Sequence, residues 1–133
     1  MLVQVTYRSK AAFPQEHMSN LDILREALVR NRKQGITGFL TRDRSHFLQI
    51  IEGDAEPVDN LISAIGRDGR CSQMDVLQRK ICSERVFGQW SMGYSEIARP
   101  KDSRIMDLTF EESLALLQKL ASYEQVKIQM YCA

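Results

Sequence analysis

The sequence predicts an α+β fold: a ferredoxin-like βαββαβ sandwich with an additional strand and C-terminal helices. Two observations carry this. Segments of apolar–polar alternation are separated by two helical stripes, and their order runs strand, helix, strand, strand, helix, strand within residues 2–81. That order places helices on one face of a mixed sheet.

Residues 2–8, LVQVTYR, form the first strand, with Val3, Val5 and Tyr7 on one face and Leu2, Gln4 and Thr6 on the other. A loop with Pro14 follows. Asn20 is the predicted N-cap of a helix over 20–34, whose stripe is Leu21, Leu24 and Leu28, and Gly35 ends it. ITGFLTR (36–42) and HFLQIIE (46–52), joined by the polar DRS, form a hairpin. Asp54 caps a second helix over 55–67, with Pro57 in its first turn and Val58, Leu61, Ile62 and Ile65 as its stripe. After the loop RDGRCS, residues 74–81 form a half-exposed strand. Residues 90–96 form another, with Trp90, Met92 and Tyr94 on one face. Thr109 and Glu112 make a capping box for a helix over 110–121, carrying Phe110, Leu114, Leu117 and Ala121. Val126, Ile128 and Met130 alternate, a pattern that leaves strand and helix both open.

The length, 133 residues, suits one domain with a real core, and 44% hydrophobic with 26% charged residues is an ordinary globular composition. A net charge of +1 argues against a strong footprint for nucleic acid or an acidic membrane surface. The N-terminus MLVQVTYRSK lacks the pattern of a signal peptide, and no apolar run approaches a membrane span of roughly 20 residues. The three widely spaced cysteines, Cys71, Cys82 and Cys132, suggest reduced thiols rather than a disulfide framework or a zinc knuckle. A cytoplasmic protein is expected.

Three polar residues break the apolar pattern. Gln49 sits mid-strand where both faces are otherwise apolar, and a buried amide without partners costs about 1–3 kcal/mol. Asn31 follows Leu24 and Leu28 on the buried stripe of the first helix. Tyr7 ends the Val3–Val5 face of the first strand. In this fold class the three are placed to converge between helix and sheet. Two readings follow: a buried network that ties helix to sheet, or a polar-headed ligand whose planar body lies against Leu and Ile side chains. Other chemistry is scarce. His17 and His46 are far apart, so neither a metal site nor a catalytic triad is expected, and no phosphate-cradling glycine motif occurs. GITG (35–38) reads as a turn, and Cys71 as a loop cysteine.

These residues bring a resemblance into view. TYRS in the first strand, RNRKQGITG, HFLQIIEG and FGQWSMGY, in this order over residues 1–97, resemble the BLUF domains, blue-light sensors that bind FAD. The resemblance implies a flavin-binding domain over 1–97 and a C-terminal helical extension over 98–133, as in short stand-alone members. It implies FAD as cofactor, with FMN or riboflavin as alternatives. Gln49 matches the glutamine bonded to the flavin ring near N5 and O4. Tyr7 matches the tyrosine that bonds this glutamine and gives an electron and a proton to the light-excited flavin. Asn31 matches the asparagine at C4=O and N3, and Arg30 a variable position near O2. Asp68 and Arg70 fall in the loop on the flavin's far side, and Ile23, Leu40, Phe47 and Ile65 are apolar walls. Trp90 and Met92 match the residues that compete for a place near the glutamine and pass the signal on.

Two segments depart from the family's usual pattern: Phe87-Gly88 stands for Phe-Pro, and Asp68-Gly69-Arg70-Cys71 for Asp-Pro-Arg-His. The resemblance further implies a sensor rather than an enzyme, self-association, and output to a separate protein partner. No membrane or direct nucleic-acid contact is expected. A small flavin reductase or acylphosphatase-like hydrolase, and a flavin-free interaction module, are the competing readings on the same fold class.

Overall fold

The computed structural model describes residues 1–14, 17–88, 92–96 and 104–122. Strand β1 (Leu2–Ala11) leads to helix α1 (Ser19–Gln34), strands β2 (Thr37–Arg42) and β3 (His46–Asp54), helix α2 (Ala55–Gly66), and strands β4 (Cys71–Ile81) and β5 (Gly93–Glu96). A 3-10 turn (Ile105–Asp107) then precedes helix α3 (Phe110–Ala121). The five strands form one sheet in the order β4-β1-β3-β2-β5, antiparallel except where β5 joins β2. This is the expected ferredoxin-like sheet with its additional strand at one edge.

Alternation decides what each face meets. Val3, Val5 and Ile51 pack with Ile36, Val58 and Leu61, placing α2 over one half of the front face. Leu40, Phe47, Met92 and Tyr94 pack with Leu24 and Ala27, placing α1 over the other half. The intervening residues Leu48 and Ile50 point backward to Phe39, Phe87, Ile105 and Leu117. The expectation of helices on one face is therefore corrected: α3 covers the back. Two polar ties hold it there. Arg8 Nη1 donates to the carbonyls of Leu108 at 2.9 Å and Ile105 at 3.3 Å, and Asp43 Oδ2 accepts from Ile105 N at 2.9 Å. The capping box is present: Thr109 Oγ1 accepts from Glu112 N at 3.1 Å, and Glu112 Oε1 accepts from Thr109 N at 2.9 Å.

Other boundaries shift for identifiable reasons. β1 and β4 both run further than expected, because Ala11 pairs with Cys71 and Lys10 with Ser72. Two register shifts along this pairing, and a positive φ of 52° at Gln73, mark bulges that bend the edge strand β4. Asn20 is not the N-cap. The chain is already helical at Met18, whose carbonyl accepts from Leu21 N and Asp22 N, so α1 starts at Ser19. Leu21 is exposed, and the buried stripe begins a turn later with Leu24, Ala27 and Asn31. Asp54 occupies the N-cap of α2 without a side-chain cap bond. Trp90 and the segment 123–133, including the alternation at Val126, Ile128 and Met130, lie outside the described residues.

Both glycines of GITG do specific work. Gly35 ends α1 at φ +66°, the left-handed region. A Cβ at Gly38 would run into the backbone oxygen of Ile50 on β3, so the close β2–β3 approach excludes a side chain there.

If α3 closes the back of the sheet, Leu117→Ala should destabilise the protein by about 2–5 kcal/mol, as for other core truncations. Urea unfolding measures it. A loss within the roughly 0.5 kcal/mol range of surface substitutions would show that α3 does not seal this face.

Candidate functional site

The register of β1 against β3 sets Tyr7 directly opposite Gln49, and β2 against β3 sets Leu40 opposite Gln49 on the other side. All three sit on the front face under α1. Tyr7 Oη donates to Gln49 Oε1, and Gln49 Nε2 donates to the Met92 sulfur at 3.5 Å. Met92 reaches the amide because β5 lies beside β2, with Tyr94 opposite Leu40. The buried amide thus has both of its ends met: the oxygen by a phenol, the nitrogen by a thioether.

A cleft with about 510 Å³ of empty space, partly open to solvent, adjoins this pair. That volume falls in the range of small-molecule sites. Its walls are apolar: Ile23 and Ala27 from α1, Leu40 from β2, Phe47 from β3 and Ile65 from α2. Charged groups gather around it. Arg70 Nη1 lies 2.6 Å from Glu26 Oε2, and Arg70 Nη2 lies 2.7 Å from Asp68 Oδ2. Arg70 therefore straps the loop before β4 to α1. Arg30 is half-buried, and its Nε donates to Asn31 Oδ1 at 3.4 Å.

Of the ten cofactor-binding candidates, nine line this one cleft: Tyr7, Ile23, Arg30, Leu40, Phe47, Gln49, Ile65, Asp68 and Arg70. Asn31 is fully buried beside it, within reach of Arg30. Ser9, Glu26, Ala27 and Cys71 also line it, and sequence reasoning missed them. Three had a visible signal. Ser9 continues the Tyr7 alternation, Ala27 follows Leu24 by three, and Glu26 precedes Arg30 by four. Cys71 had none, because its place depends on the extended pairing of β1 with β4. It is the first residue of β4, not a loop cysteine.

Protonation follows from these surroundings. Burial raises Tyr7 well above the ordinary phenol range, with charge on Cys71 acting in the same direction and the Arg30 cation opposing. Burial likewise pulls the Arg30 guanidinium down and pushes the Cys71 thiol up. The hydrogen bond from Arg70 holds Asp68 below the usual carboxylate range, and Asp68 in turn raises Arg70. Among the described residues, no cluster of His, Cys, Asp and Glu could hold a metal, and no helix is long and apolar enough to cross a membrane.

Known proteins share this arrangement of elements. A family model described as BLUF, sensors of blue-light using FAD, matches residues 2–93. The photoactivated adenylate cyclase subunit beta of Euglena longa is 34% identical over 110 residues, which are 81% of this chain and 12% of that protein. The chain thus spans a small fraction of that relative. A solved BLUF protein, BlrB in its dark state, superimposes with a TM-score of 0.80 at 31% identity, covering 90% of this chain and 94% of its own. BlsA in its ground state does so with a TM-score of 0.83 at 27% identity, covering 96% and 93%.

The burial of Tyr7 has a measurable consequence. A raised folded-state pKa contributes stability that is fully present below the unfolded value of about 10 and is lost as pH rises above it. Ultraviolet titration of the phenols should find one that keeps its proton beyond that value until the protein unfolds. Tyr7→Phe should remove that late step. If every phenol ionises near pH 10 in the folded protein, the hydroxyl is not sequestered.

Proposed function

The chain belongs to the BLUF family, sensors of blue light using FAD, and on that premise we propose that it is a blue-light photoreceptor whose flavin lies in the cleft between α1 and the sheet. The observation that carries this reading is the buried line Tyr7–Gln49–Met92 along the cleft, with one amide between a phenol and a thioether. The residues present fit a flavin. A flat ring system needs two apolar walls, supplied by Ile23 and Ala27 on one side and Leu40, Phe47 and Ile65 around the others. It also needs a few polar groups at one edge, supplied by Gln49, Asn31 and Arg30.

When bound, the flavin absorbs blue light and offers an acceptor for an electron and a proton. Tyr7 holds the proton. Its raised pKa keeps the phenol neutral throughout the physiological range, so the proton leaves only when the ring also gives up an electron. Gln49 carries the memory of the event. Its oxygen faces Tyr7 and its nitrogen faces Met92. An amide that turns or tautomerises reverses what it offers on each side. Met92 is a weak acceptor with no donor, so it satisfies the nitrogen but not a turned oxygen. The altered amide therefore loosens Met92, and the segment before β5 carries the change outward. This is a local hydrogen-bond switch biasing a two-state element.

The chain reads as a sensor rather than an enzyme. Residues 1–97 act as the light-sensing unit and 98–133 as the extension. Trp90 takes part with Met92 in output, which passes to a separate protein or through self-association, in the cytoplasm. Free Cys71 and Cys82 support the reducing compartment.

The purified protein should be yellow, and its blue-region band should move slightly to the red under blue light and return in darkness. Protein that stays colourless when made in flavin-replete cells, or a pigment that never shifts, sinks the reading. Tyr7→Phe and Gln49→Leu should each abolish the shift while circular dichroism stays native. A normal photocycle in either variant removes the assigned roles.

A further inference from the structure

Two rows of side chains run along the outer face of α1 at i, i+4, i+8 spacing: Arg25–Val29–Lys33 and Glu26–Arg30–Gln34. Together they line a surface groove. The groove adjoins the flavin cleft, because Glu26 and Arg30 line both. Its acid is already occupied: Glu26 is bound to Arg70 at 2.6 Å. Among the described residues, Arg25, Arg30 and Lys33 stand in no ion pair. Three cations of one sign therefore share one concavity, and the half-buried Arg30 stands at the boundary between groove and cleft. A cation partly withdrawn from water without a counter-ion is unfavourable, and such a groove concentrates anions.

A ligand whose ring lies against the apolar walls of the cleft must carry any polar, anionic tail out through the mouth. The groove is where the described cations meet it. Arg presents a fork that matches phosphate oxygens, and Lys supplies a mobile point charge. We propose that this groove is a phosphate subsite: Arg25, Arg30 and Lys33 take the phosphate on the tail of FMN or FAD, so that the chain selects phosphorylated flavins over riboflavin. The inference rests on the reading of the cleft as a flavin site.

The test is competition. The purified full-length chain is equilibrated with equal amounts of riboflavin, FMN and FAD, and the flavins released on denaturation are separated and counted. At low salt FMN and FAD should each exceed riboflavin roughly tenfold, as expected for two or three exposed ion pairs, and high salt should narrow the gap. The double substitution Arg25→Gln/Lys33→Gln should abolish the preference while riboflavin binds as before. The reversal Arg25→Glu/Lys33→Glu should turn the preference toward riboflavin. Equal occupancy by all three flavins in the native chain overturns the subsite and leaves the flavin reading standing. Failure to take up any flavin overturns both. Tight binding of ADP to the riboflavin-loaded chain, with no difference among the flavins, would assign the groove to a free nucleotide and also overturn the proposal.

Discussion

The pairing of β1 with β3 is the constraint from which the rest follows. It runs in register from Leu2 opposite Asp54 to Lys10 opposite His46, and its middle places Tyr7 opposite Gln49. A slip of one residue would turn every side chain of a strand to the other face. Tyr7 would then face the back cluster, and Gln49 would lose the phenol that meets its oxygen. The register is held from several directions. Val3, Val5 and Ile51 are buried under α2, and Gln4 Nε2 donates to Glu52 Oε2 at 2.8 Å across the same two strands. At the other end the Arg42 guanidinium lies 4.8 Å from the centre of the Phe47 ring.

Because side chains alternate, the same strands serve two masters. Gln49 faces the cleft, while Leu48 and Ile50 on either side of it belong to the cluster that holds Leu117 and Ile105. Tyr7 faces the cleft, while its neighbour Arg8 donates to the carbonyls of Ile105 and Leu108. The covering of the back face is therefore tied to the immediate neighbours of the two residues that form the front-face hydrogen bond. In the proposed photoreceptor this offers a short physical route to α3: a strained β1 or β3 is felt on both faces, since a close-packed core transmits displacement rather than absorbing it.

Much of this was legible before any coordinates. The alternation of Val3, Val5 and Tyr7, and the misfit of Gln49 within HFLQIIE, pointed to two buried central strands and a polar demand between them. The stripe through Leu24 and Asn31 pointed to the helix above. What alternation could not show was long-range pairing. The extension of β1 to Ala11 depends on Cys71 and Ser72 across the sheet, so β4 began earlier than its own pattern suggested and Cys71 entered the cleft unseen. The strap from Arg70 to Glu26 joins residues far apart in sequence, and neither residue advertises the other. The start of α1 misled for a local reason: Asn20 is a favoured cap residue, yet the chain had already turned helical at Met18. The back-face role of α3 was hidden because an amphipathic stripe says that a face is buried but not against what.

One buried charge sharpens the account of Met92. Glu52 is fully buried, three residues beyond Gln49, and its carboxylate accepts from Gln4 Nε2, Val86 N and Phe87 N, each at 2.8 Å. Three donors are what a buried carboxylate requires to remain tolerable without a cation. Beside it Arg85 donates to Gly35 O at 2.7 Å, Thr37 Oγ1 at 2.9 Å and Glu52 O at 3.1 Å. The chain is thus pinned to β3 and to the start of β2 at residues 85–87, and it is pinned again where β5 pairs with β2 from Gly93 onward. Met92 sits at the inner edge of the second anchor, against the amide. Neither anchor bonds to the Gln49 side chain, so a turned amide would remove the sulfur contact and leave both anchors in place. The proposed switch would then act on the chain between Phe87 and Gly93, which is where Trp90 and Met92 stand in the sequence.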